Sequence, residues 1–418
     1  MDLSNSGGKA GSIAQILRDQ AVFPVYQPIW DLMTEEVVGV EALARGPAGT
    51  AVESAPALFA AAAAAGLLSE LDQLCFTRAI ELVRELDQDV PPLLFANAEP
   101  AVVNASIAPQ LLAAVRSPRP FGIVAEYTER ALAAKPAALV RLARLTHNDG
   151  NAVAMDDVGA EPLSLAFLPL LEPDVIKLDL SLLRDSHTPR SVETVAIVGA
   201  YAERTGAVIL AEGIETESDL RTARGLGARW GQGWLLGRPG PLTTLTGLPM
   251  RHGTQLPQPP TRYDVLGATP FGIAAEGNYI RPGDRRSIEE MTDYRLTTAT
   301  SRDPHTVVLG AYPDDAIAET CLPRLAAMKG VAAFVGVVPR AQAQRHPDAT
   351  STIVGQAGSS QTTLAVVSPY AAVALCARAA AGGGYDVVVT HDPDRVHAIA
   401  RLLLGGAPGF PHQSARPL

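Results

Sequence analysis

Seven short apolar runs in the first half of the chain each end at a polar residue that could bind a metal ion or polarise a phosphate. These residues are Glu41, Asn97, Glu126, the pair Asp156-Asp157, Lys177, Glu212 and Gln232. Any one of them could instead cap a helix or close a turn. Because seven run ends share this polarity and four of them are acidic, a metal site is the sharper hypothesis.

The elements that would position these residues follow from hydrophobic periodicity. Candidate strands cover residues 22–30, 37–43, 93–98, 121–127, 152–157, 175–179, 208–212 and 231–236. Predicted helices cover residues 55–86 with a break near Gly66, 131–147, 192–205 and 217–226. Strands that alternate with helices favour a parallel α/β barrel, in which polar residues at the carboxyl ends of strands converge on one face. The first two strands are too close in sequence for a crossover helix, so we expect a hairpin there.

The whole chain has the composition of a folded protein with more than one domain. It contains 418 residues, of which 47% are hydrophobic and 19% are charged. These values exclude a disordered chain, and the length suits two domains. The longest apolar run, residues 57–68, is shorter than the roughly 20 residues that span a bilayer. The amino terminus lacks the features of a secretory signal, so we expect a cytoplasmic protein with no membrane segment.

Net charge limits the kinds of ligand that the chain can bind, and cysteine content indicates whether it has disulfides. The formal net charge of −10 at pH 7 argues against binding a nucleic-acid polymer, because such binding needs a basic surface. The net charge does not exclude a small anionic ligand, since local cations decide whether a pocket accepts a phosphate. The three cysteines, Cys75, Cys321 and Cys376, are far apart in sequence and predict buried thiols rather than a disulfide framework.

The second half of the chain predicts a smaller α/β domain. Short β-branched runs at residues 307–309, 333–338, 364–367 and 386–390 accompany predicted helices at 314–328 and 371–380. We expect a mobile loop at 342–360, where Ala, Gln, Ser and Thr dominate. The predicted boundaries are 1–20 for an amino-terminal segment, 21–247 for the barrel, 248–262 for a proline-rich linker, 263–405 for the second domain and 406–418 for a disordered tail.

Eight strings in chain order resemble the motifs of the EAL domain family of cyclic di-GMP phosphodiesterases. They are Tyr26-Gln27-Pro28-Ile29, Glu41-Ala42-Leu43-Ala44-Arg45, Phe95-Ala96-Asn97, Glu126-Tyr127-Thr128-Glu129, Asp156-Asp157-Val158-Gly159, Lys177-Leu178-Asp179, Ala211-Glu212-Gly213-Ile214-Glu215-Thr216 and Gln232-Gly233-Trp234. An ordered set of motifs is far more specific than any single string. The resemblance covers residues 21–242. It implies a modified TIM-type (β/α)8 barrel with an antiparallel first strand, and hydrolysis of cyclic di-GMP to linear pGpG.

The resemblance also implies a role for each matched residue. Glu41, Asn97, Glu126, Asp156 and Asp157 would bind metal, Lys177 and Glu212 would be catalytic, Gln27, Leu43, Arg45 and Gln232 would bind substrate, and Glu129, Asp179 and Glu215 would support the site. Cyclic di-GMP is a dianion, which a pocket of carboxylates would repel unless cations lie between them. Oxygen ligands favour two Mg²⁺ or Mn²⁺ ions, which could clamp one phosphate and activate a water. Whether Glu212 is a general base or a metal ligand stays open.

The second domain resembles the DICT domain, a sensory module found beside cyclic di-GMP turnover domains. The matching strings are Thr269-Pro270-Phe271, Ser368-Pro369-Tyr370 and Thr390-His391-Asp392-Pro393-Asp394-Arg395. The resemblance implies that this domain receives a signal or partner and regulates the barrel, and the EAL resemblance implies a homodimer. His391, Asp392 and Asp394 also suggest a metal site, but acidic residues between a strand and a helix more often cap the helix, which we favour here.

One loop departs from the family pattern and keeps a second function open. Residues 158–165 read Val-Gly-Ala-Glu-Pro-Leu-Ser-Leu, where the family has Phe and then Thr-Gly-Tyr-Ser-Ser. Glu161 and Pro162 would stiffen this loop. Gly46 and the alanine tract at 60–65 are smaller departures. The leading hypothesis is an active phosphodiesterase, the alternative is a silent cyclic di-GMP receptor, and a third keeps the metal site but hydrolyses another phosphodiester.

Overall fold

The computed structural model describes residues 12–98, 107–129, 132, 135–159, 162–180, 188–254, 256, 268–300, 303–338, 352–353 and 360–405. The chain divides into two compact units. The first unit contains Met1–Lys135, Leu142–Ala160 and Pro173–Pro259, and the second contains Pro136–Arg141, Glu161–Glu172 and Pro260–Leu418. The domain boundaries predicted from the sequence stay predictions.

Eight strands form a closed barrel, which confirms the predicted fold class. They are β1 (Val25–Asp31), β2 (Val37–Leu43), β3 (Leu93–Asn97), β4 (Gly122–Thr128), β5 (Ala152–Asp156), β6 (Val175–Asp179), β7 (Val208–Glu212) and β8 (Trp230–Gly231). Strand β1 is antiparallel to both β2 and β8, and the other neighbouring pairs are parallel. The predicted hairpin is thus confirmed. The Asp31 carboxylate closes its turn by accepting the Met33 and Thr34 backbone N–H groups, at 2.9 and 3.2 Å.

The last barrel strand is shorter than its sequence predicts. The sequence predicts a strand over residues 231–236, but β8 ends at Gly231. The chain turns after Gln232, and the backbone N–H groups of Leu236 and Gly237 both donate to the Gly233 carbonyl at 3.0 Å. Glycines at 233 and 237 permit this turn, because both have positive φ angles near 160°.

Helices follow most barrel strands. They are α1 (Ile13–Arg18), α2 (Ala55–Ala64), α3 (Leu68–Arg84), α4 (Pro109–Arg116), α5 (Pro136–Asn148), α6 (Pro162–Leu171), α7 (Pro189–Thr205) and α8 (Glu217–Gly225). The predicted break near Gly66 is confirmed, since Gly66 has a φ of 69° between α2 and α3. Helix α8 begins with a capping box, in which the Thr216 hydroxyl accepts the Asp219 N–H and the Asp219 carboxylate accepts the Thr216 N–H.

Each of the eight strands contributes to one apolar cluster in the barrel. The cluster contains Ile29, Val38, Leu93, Phe95, Val124, Ala154, Val175, Val208, Leu210 and Trp230. The Phe95 and Trp230 rings meet edge to face, with centroids 6.3 Å apart. Side chains two positions apart on a strand share a face. On the parallel strands β3 to β7, the residue two positions beyond the last of these apolar side chains therefore lies above the cluster, toward the carboxyl end of its strand.

The second unit contains one seven-stranded sheet, which confirms a smaller α/β domain. Its strands are β9 (Arg281–Gly283), β10 (Val307–Ala311), β11 (Phe334–Val337), β12 (Thr352–Ile353), β13 (Thr362–Val367), β14 (Ala372–Ala379) and β15 (Tyr385–Thr390), in the order β12-β11-β10-β13-β14-β15-β9. Its carboxyl-terminal helices are α9 (Pro270–Ala275), α10 (Arg285–Thr300), α11 (Asp315–Ala327) and α12 (Pro393–Gly405). Val308, Leu364, Leu375 and Val387 bring four of these strands into one core.

The predicted helix at residues 371–380 is wrong, because this segment is strand β14. Alanine favours helices, but the segment pairs with β13 on one side and β15 on the other. A four-residue turn precedes it, in which the Ser368 N–H donates to the Ala371 carbonyl at 2.8 Å. Pairing with two neighbours and burial of Ala374 through Ala377 outweigh the intrinsic propensity of alanine.

Three further predictions concern the second half of the chain: the role of Asp392, the loop at 342–360 and the tail at 406–418. Asp392 caps helix α12, since its carboxylate accepts the N–H groups of Asp394 and Arg395, which supports capping over a metal site. The predicted mobile loop includes strand β12, and its other residues lie outside the described parts of the chain, apart from Ser360. The predicted tail at 406–418 lies wholly outside them. No helix among the described residues is long and apolar enough to cross a membrane.

Candidate active site

A buried lysine lies at the centre of the candidate site. Lys177 is fully buried on β6, and its Nζ lies 2.8 Å from Glu126, 2.9 Å from Glu212, 3.3 Å from Asp156 and 3.5 Å from Glu41. Four carboxylates from four other strands therefore surround one ammonium group. Their formal charges leave this cluster negative, so it has capacity for further cations.

Strand alternation explains why these side chains meet. Asn97, Glu126, Lys177 and Glu212 each follow a residue of the apolar barrel cluster by two positions, so they emerge on the same side one step further along their strands. In the strand register Asn97 pairs with Glu126 and Asp179 pairs with Glu212. The parallel strands thus bring residues far apart in sequence to one height in the barrel.

The polar residues around Lys177 form two groups. In one group, the carboxylate oxygens of Asp156, Asp157 and Glu212 lie within 4.8 Å of one another. In the other, the Asn97 amide nitrogen donates to Glu126 at 3.2 Å and to Glu41 at 3.5 Å. Each group offers oxygen atoms suited to a hard divalent ion.

Backbone geometry turns Asp157 toward the first group. Its φ of 57° is left-handed, a region that is uncommon for residues other than glycine but that asparagine and aspartate adopt more readily than most. Its N–H donates to the Asp156 carboxylate at 2.9 Å. Gly159 follows with a φ of 102°, and a Cβ there would lie 2.6 Å from the Thr194 methyl group. The turn after β5 therefore depends on two unusual backbone conformations.

Two glutamines, one on the neighbouring strand β1 and one just after β8, position Glu41. The Gln232 side-chain amide nitrogen donates to the Glu41 carboxylate at 2.6 Å and to the side-chain amide oxygen of Gln27 at 3.0 Å. Gln27 in turn donates to the Gly237 carbonyl at 2.9 Å. Because β1 is antiparallel to β2, Gln27 lies directly opposite Glu41. This chain of contacts positions Glu41 and fixes the turn after β8.

Burial and neighbouring charges shift the ionisation of the site. Burial, strengthened by the nearby Glu41 charge, holds the pKa of Glu126 well above its usual range. Burial also raises the pKa of Glu212, and the Lys177 charge offsets only part of that effect. Burial alone would lower the Lys177 pKa, but the carboxylates around it outweigh burial and hold this pKa well above its ordinary value. Lys177 is therefore positively charged at neutral pH. Glu126 and Glu212 hold their protons more tightly than ordinary glutamates do.

The donor set fits the divalent ions that the sequence predicts. The groups around Lys177 offer carboxylate and amide oxygens, with no Cys or His in the metal-binding group found among the described residues. The side-chain amide oxygen Oε1 of Gln232 is buried and accepts no hydrogen bond from the described residues. Oxygen donors and excess negative charge suit Mg²⁺ or Mn²⁺ better than zinc.

The remaining predicted residues lie at varying distances from this cluster. Leu43 ends β2 and is half-buried, while Arg45 donates to the carbonyl of its neighbour Ala44 at 2.7 Å. Glu129 is buried just after β4, and Glu215 is exposed beside the Asp219 carboxylate. The structure thus brings together the predicted metal and catalytic residues with Gln27 and Gln232. Among the described residues, the Arg45 guanidinium makes no ion pair with this cluster.

Two features of the site are not among the residues predicted from the sequence. The Gly237 carbonyl holds Gln27, although a backbone oxygen leaves no trace in side-chain patterns. Gly39 lies so close to β3 that an added Cβ would be 2.8 Å from the Leu93 carbonyl and 3.2 Å from the Phe95 ring. A single small residue in an apolar run could have suggested this close approach.

A closed barrel with one antiparallel strand and acidic residues at the carboxyl ends of its parallel strands defines a modified (β/α)8 barrel protein. The chain belongs to the EAL domain family, whose model matches residues 10–239. This match confirms the resemblance seen in the eight motifs.

Two relatives by sequence and one solved structure show what the chain is similar to. The chain is 31% identical to the probable cyclic di-GMP phosphodiesterase PdeB of Escherichia coli, across 50% of this chain and 41% of that protein. It is 30% identical to the cyclic di-GMP phosphodiesterase NbdA of Pseudomonas aeruginosa, across 56% of this chain and 31% of that protein. A solved manganese and cyclic di-GMP complex of Klebsiella pneumoniae BlrP1 is 29% identical, across 53% of this chain and 56% of that chain, with a TM-score of 0.46. The chain thus spans less than two thirds of each of these relatives.

Proposed function

We propose that this protein is a metal-dependent phosphodiesterase that hydrolyses cyclic di-GMP to linear pGpG. The observation that carries the proposal is the cluster of Glu41, Glu126, Asp156 and Glu212 around the buried Lys177. Membership of the EAL family, and the names of PdeB and NbdA, support cyclic di-GMP as the substrate.

Five residues would hold the metal ions in this proposal. They are Glu41, Asn97, Glu126, Asp156 and Asp157. Asn97 would bind through its amide oxygen, so its amide would turn from the orientation in which it donates to Glu126. Two bound Mg²⁺ or Mn²⁺ ions would polarise the phosphate. They would also lower the pKa of a water molecule, so that it loses a proton and attacks phosphorus as hydroxide.

The other residues would act on the substrate and its protons. Lys177 would stabilise the negative charge that grows on the attacked phosphate, because its ammonium is fixed and shielded from water. Gln27, Leu43 and Arg45 would hold the part of the dinucleotide that does not react, with Arg45 pairing with a phosphate. Gln232 would keep Glu41 in place through the 2.6 Å hydrogen bond.

Glu212 has support for each of its two candidate roles. Its carboxylate lies within 4.8 Å of those of Asp156 and Asp157, which favours a metal ligand. Its raised pKa suits a base that takes a proton from the attacking water. A Glu212→Gln variant separates the roles, since loss of a ligand weakens metal affinity, whereas loss of a base lowers kcat at unchanged metal affinity.

The direct test is turnover of cyclic di-GMP to pGpG by the full chain with Mg²⁺ or Mn²⁺. We expect metal-dependent product that Glu41→Ala abolishes. Glu81→Ala is the matched control, because Glu81 is a partly exposed glutamate paired with Arg78 on helix α3. Hydrolysis that persists in Glu41→Ala, or that needs no metal, would contradict the proposal.

A silent cyclic di-GMP receptor is the second candidate. It is favoured by the departure of the loop after β5 from the family sequence. Ala160 and Glu161 lie outside the described residues, while Pro162 opens helix α6, where a first-turn proline is well tolerated. Tight nucleotide binding without any pGpG in the same assay would support this candidate.

We further propose that the carboxyl-terminal part of the chain regulates the site through helix α6, and that the protein forms a homodimer. The second compact unit includes Glu161–Glu172, and so α6, which follows the Asp156-Asp157 turn along the chain. Within that unit, Phe167 meets Phe334 edge to face at 5.4 Å, and Arg401 pairs with Glu172 at 2.6 Å. The dimer and the DICT-like sensory role rest on family resemblance alone.

A further inference from the structure

Three arginines surround one buried carboxylate at the end of the barrel that lies away from the Lys177 cluster. One oxygen of the Asp31 carboxylate lies 2.5 Å from a nitrogen of Arg251 and 3.4 Å from a nitrogen of Arg229. The Arg224 guanidinium donates twice to the carbonyl of the next residue, Leu32, at 2.7 and 3.2 Å. Three guanidinium groups therefore converge on two consecutive residues of the chain.

The strand register places these arginines far from the candidate active site. Asp31 is the last residue of β1 and pairs with Trp230, the first residue of β8. Gln27, which contacts Gln232 in the candidate site, lies four positions earlier on β1. At about 3.3 Å per residue, Asp31 lies about 13 Å further along this strand, toward the amino-terminal ends of the parallel strands. The proposed mechanism uses none of the residues found there.

The carboxylates at this end do not balance the three positive charges. Burial alone would raise the Asp31 pKa, but two N–H groups of the hairpin turn, the charge of Arg251 and the hydrogen bond from Arg229 outweigh burial and hold this pKa below its usual range. Asp31 is therefore ionised at neutral pH. The Glu35 carboxylate lies 3.9 Å from Arg224 but is 81% exposed, so water screens this pair. Three guanidinium groups beside two carboxylates leave an excess of positive charge.

The same arginines line a cavity of about 430 Å³, a volume within the range of small-molecule sites. Asp31, Thr34 and the end of helix α8 also line it. The side chains of Arg251, Arg224 and Arg229 are 32%, 42% and 57% exposed, respectively. A solute can therefore reach all three arginines.

The end of helix α8 opposes an anion less than most helix ends do. A helix carboxyl terminus carries partial negative charge, because its last carbonyl groups lack partners within the helix. Here the Ala223 carbonyl accepts the Ala228 N–H at 3.0 Å, and the Arg224 carbonyl accepts the Gly227 N–H at 3.1 Å. These hydrogen bonds reduce the negative potential that the helix presents to the cavity.

We infer that this cavity binds the phosphate group of a small molecule, with Arg224, Arg229 and Arg251 as the donors. A guanidinium has five N–H donors, and within the described part of the chain the hydrogen bonds use two on Arg224 and one on each of the others. A terminal phosphate offers three oxygens and a charge of about −1.5 to −2 at pH 7, which suits three cations better than a single carboxylate does.

The test is calorimetric titration of the full chain, freed of metal and then of chelator by dialysis, with inorganic phosphate at constant ionic strength. We expect one phosphate per chain. Arg229→Ala should raise its Kd about tenfold, because a hydrogen bond to a charged group is lost. Arg229 makes the longer contact with Asp31, so Arg251 still holds the carboxylate in this variant. Arg224→Ala is a second variant, which leaves both contacts of Asp31 in place.

Arg204→Ala is the matched control for the loss of one positive charge. Arg204 is an exposed arginine of the same compact unit, on helix α7, where it contacts the Tyr201 ring. This variant should bind phosphate as tightly as the unchanged chain. Circular dichroism checks that each variant is folded, and if one of the two cavity variants is unfolded, the other decides the result.

Titration with GMP distinguishes free phosphate from a nucleotide as the source of the phosphate group. Binding of GMP that depends on Arg229 and is tighter than that of phosphate would support a nucleotide site, and equal binding would support a site for phosphate alone. Phosphate that does not bind, that neither cavity variant weakens, or that Arg204→Ala weakens equally would overturn the inference. Tighter binding of succinate than of phosphate would overturn the choice of phosphate. Because the titration needs no metal and no turnover, its result is independent of the proposed function.

Discussion

At the scale of single residues, Lys177 supplies the positive charge that allows the fold to bury four carboxylates together. A lone buried ammonium holds four carboxylates at 2.8–3.5 Å, and removal of one partner from a buried ion cluster destabilises a protein by about 3–5 kcal/mol. In the proposed mechanism, the same charge would stabilise a reacting phosphate. Stability and activity should therefore depend on Lys177 in different ways.

Lys177→Met should lower the melting temperature in chelator, because the carboxylates then repel one another inside the barrel. Added Mg²⁺ should raise the melting temperature of the variant more than that of the unchanged chain, since the ion replaces the missing positive charge. Turnover should fall by about 10²-fold or more even with Mg²⁺. Thermal unfolding with and without metal, beside the pGpG assay, measures all three effects.

An equal Mg²⁺ effect on both proteins would contradict the role of Lys177 as the cation that balances the carboxylates. Full activity of the variant would contradict its catalytic role independently.

The raised pKa of Glu126 predicts a pH dependence with a definite sign. Its ordinary pKa is 4.5 and burial raises it in the folded state, so above about pH 4.5 the folded chain holds a proton that the unfolded chain has lost. Without metal, this residue's contribution to the free energy of unfolding should therefore fall as pH rises through that window. Mg²⁺ displaces the same proton, so metal affinity should rise with pH.

Glu126→Gln provides the comparison, because the amide has nearly the same shape and does not titrate. Urea unfolding in chelator between pH 5 and pH 8 should show a flatter pH dependence for the variant than for the unchanged chain. Identical slopes would mean that Glu126 does not hold a proton in the folded barrel.

At the scale of elements, the approach of β2 to β3 sets the position of Glu41. Gly39 lies two residues before Glu41 on the same face, and an added Cβ would meet the Leu93 backbone at 2.8 Å. A backbone atom cannot turn aside as a flexible side chain can. Any side chain at this position must therefore push the two strands apart.

Gly39→Ala should destabilise the barrel by about 1–3 kcal/mol and weaken Mg²⁺ affinity, because Glu41 moves with its strand. Gly199→Ala is the control, since Gly199 lies within helix α7 with no atom within 4 Å of an added Cβ. The control should stabilise the chain by about 0.5–1 kcal/mol. Chemical denaturation and metal titration of both variants measure these effects, and unaltered metal affinity in Gly39→Ala would contradict the argument.

At the scale of the whole molecule, the chain passes from the Asp156-Asp157 turn into a helix of the second compact unit. Pro162 begins that helix, and its carbonyl lies 3.1 Å from the His305 ring nitrogen. Arg401 pairs with Glu172 at the other end. The second unit therefore holds α6 at both ends, and in the proposed regulation this helix would carry the signal.

Arg401→Ala should loosen α6 and lower kcat for cyclic di-GMP by about 2- to 30-fold, the usual range of coupling between distant sites. Arg286→Ala is the control, because Arg286 also pairs with a glutamate, Glu290, but is 84% exposed on helix α10. Turnover assays with circular dichroism distinguish regulation from unfolding. An unchanged kcat in a folded Arg401→Ala protein would remove α6 as the route.

Much of the barrel could be predicted because its signals are local. The bounds of β2, β6 and β7 match the expected ranges 37–43, 175–179 and 208–212, since buried parallel strands appear as short apolar runs between helices. Strand β14 was mistaken for a helix, because its alanine content is a local signal and its two pairing partners are not. Strand β8 was predicted too long, because the turn at Gly233 depends on contact with Ile214.

The sequence by itself determined which polar residues end the strands, and the order of its motifs determined the family. Only the tertiary structure decided that Lys177 meets four carboxylates, that Gln232 holds Glu41 across 191 positions of sequence, and that α6 belongs to the second unit. The physical reason is that periodicity and capping act between residues close in the chain. Contacts across a closed barrel depend on strand register and packing, which exist only once the whole chain has folded.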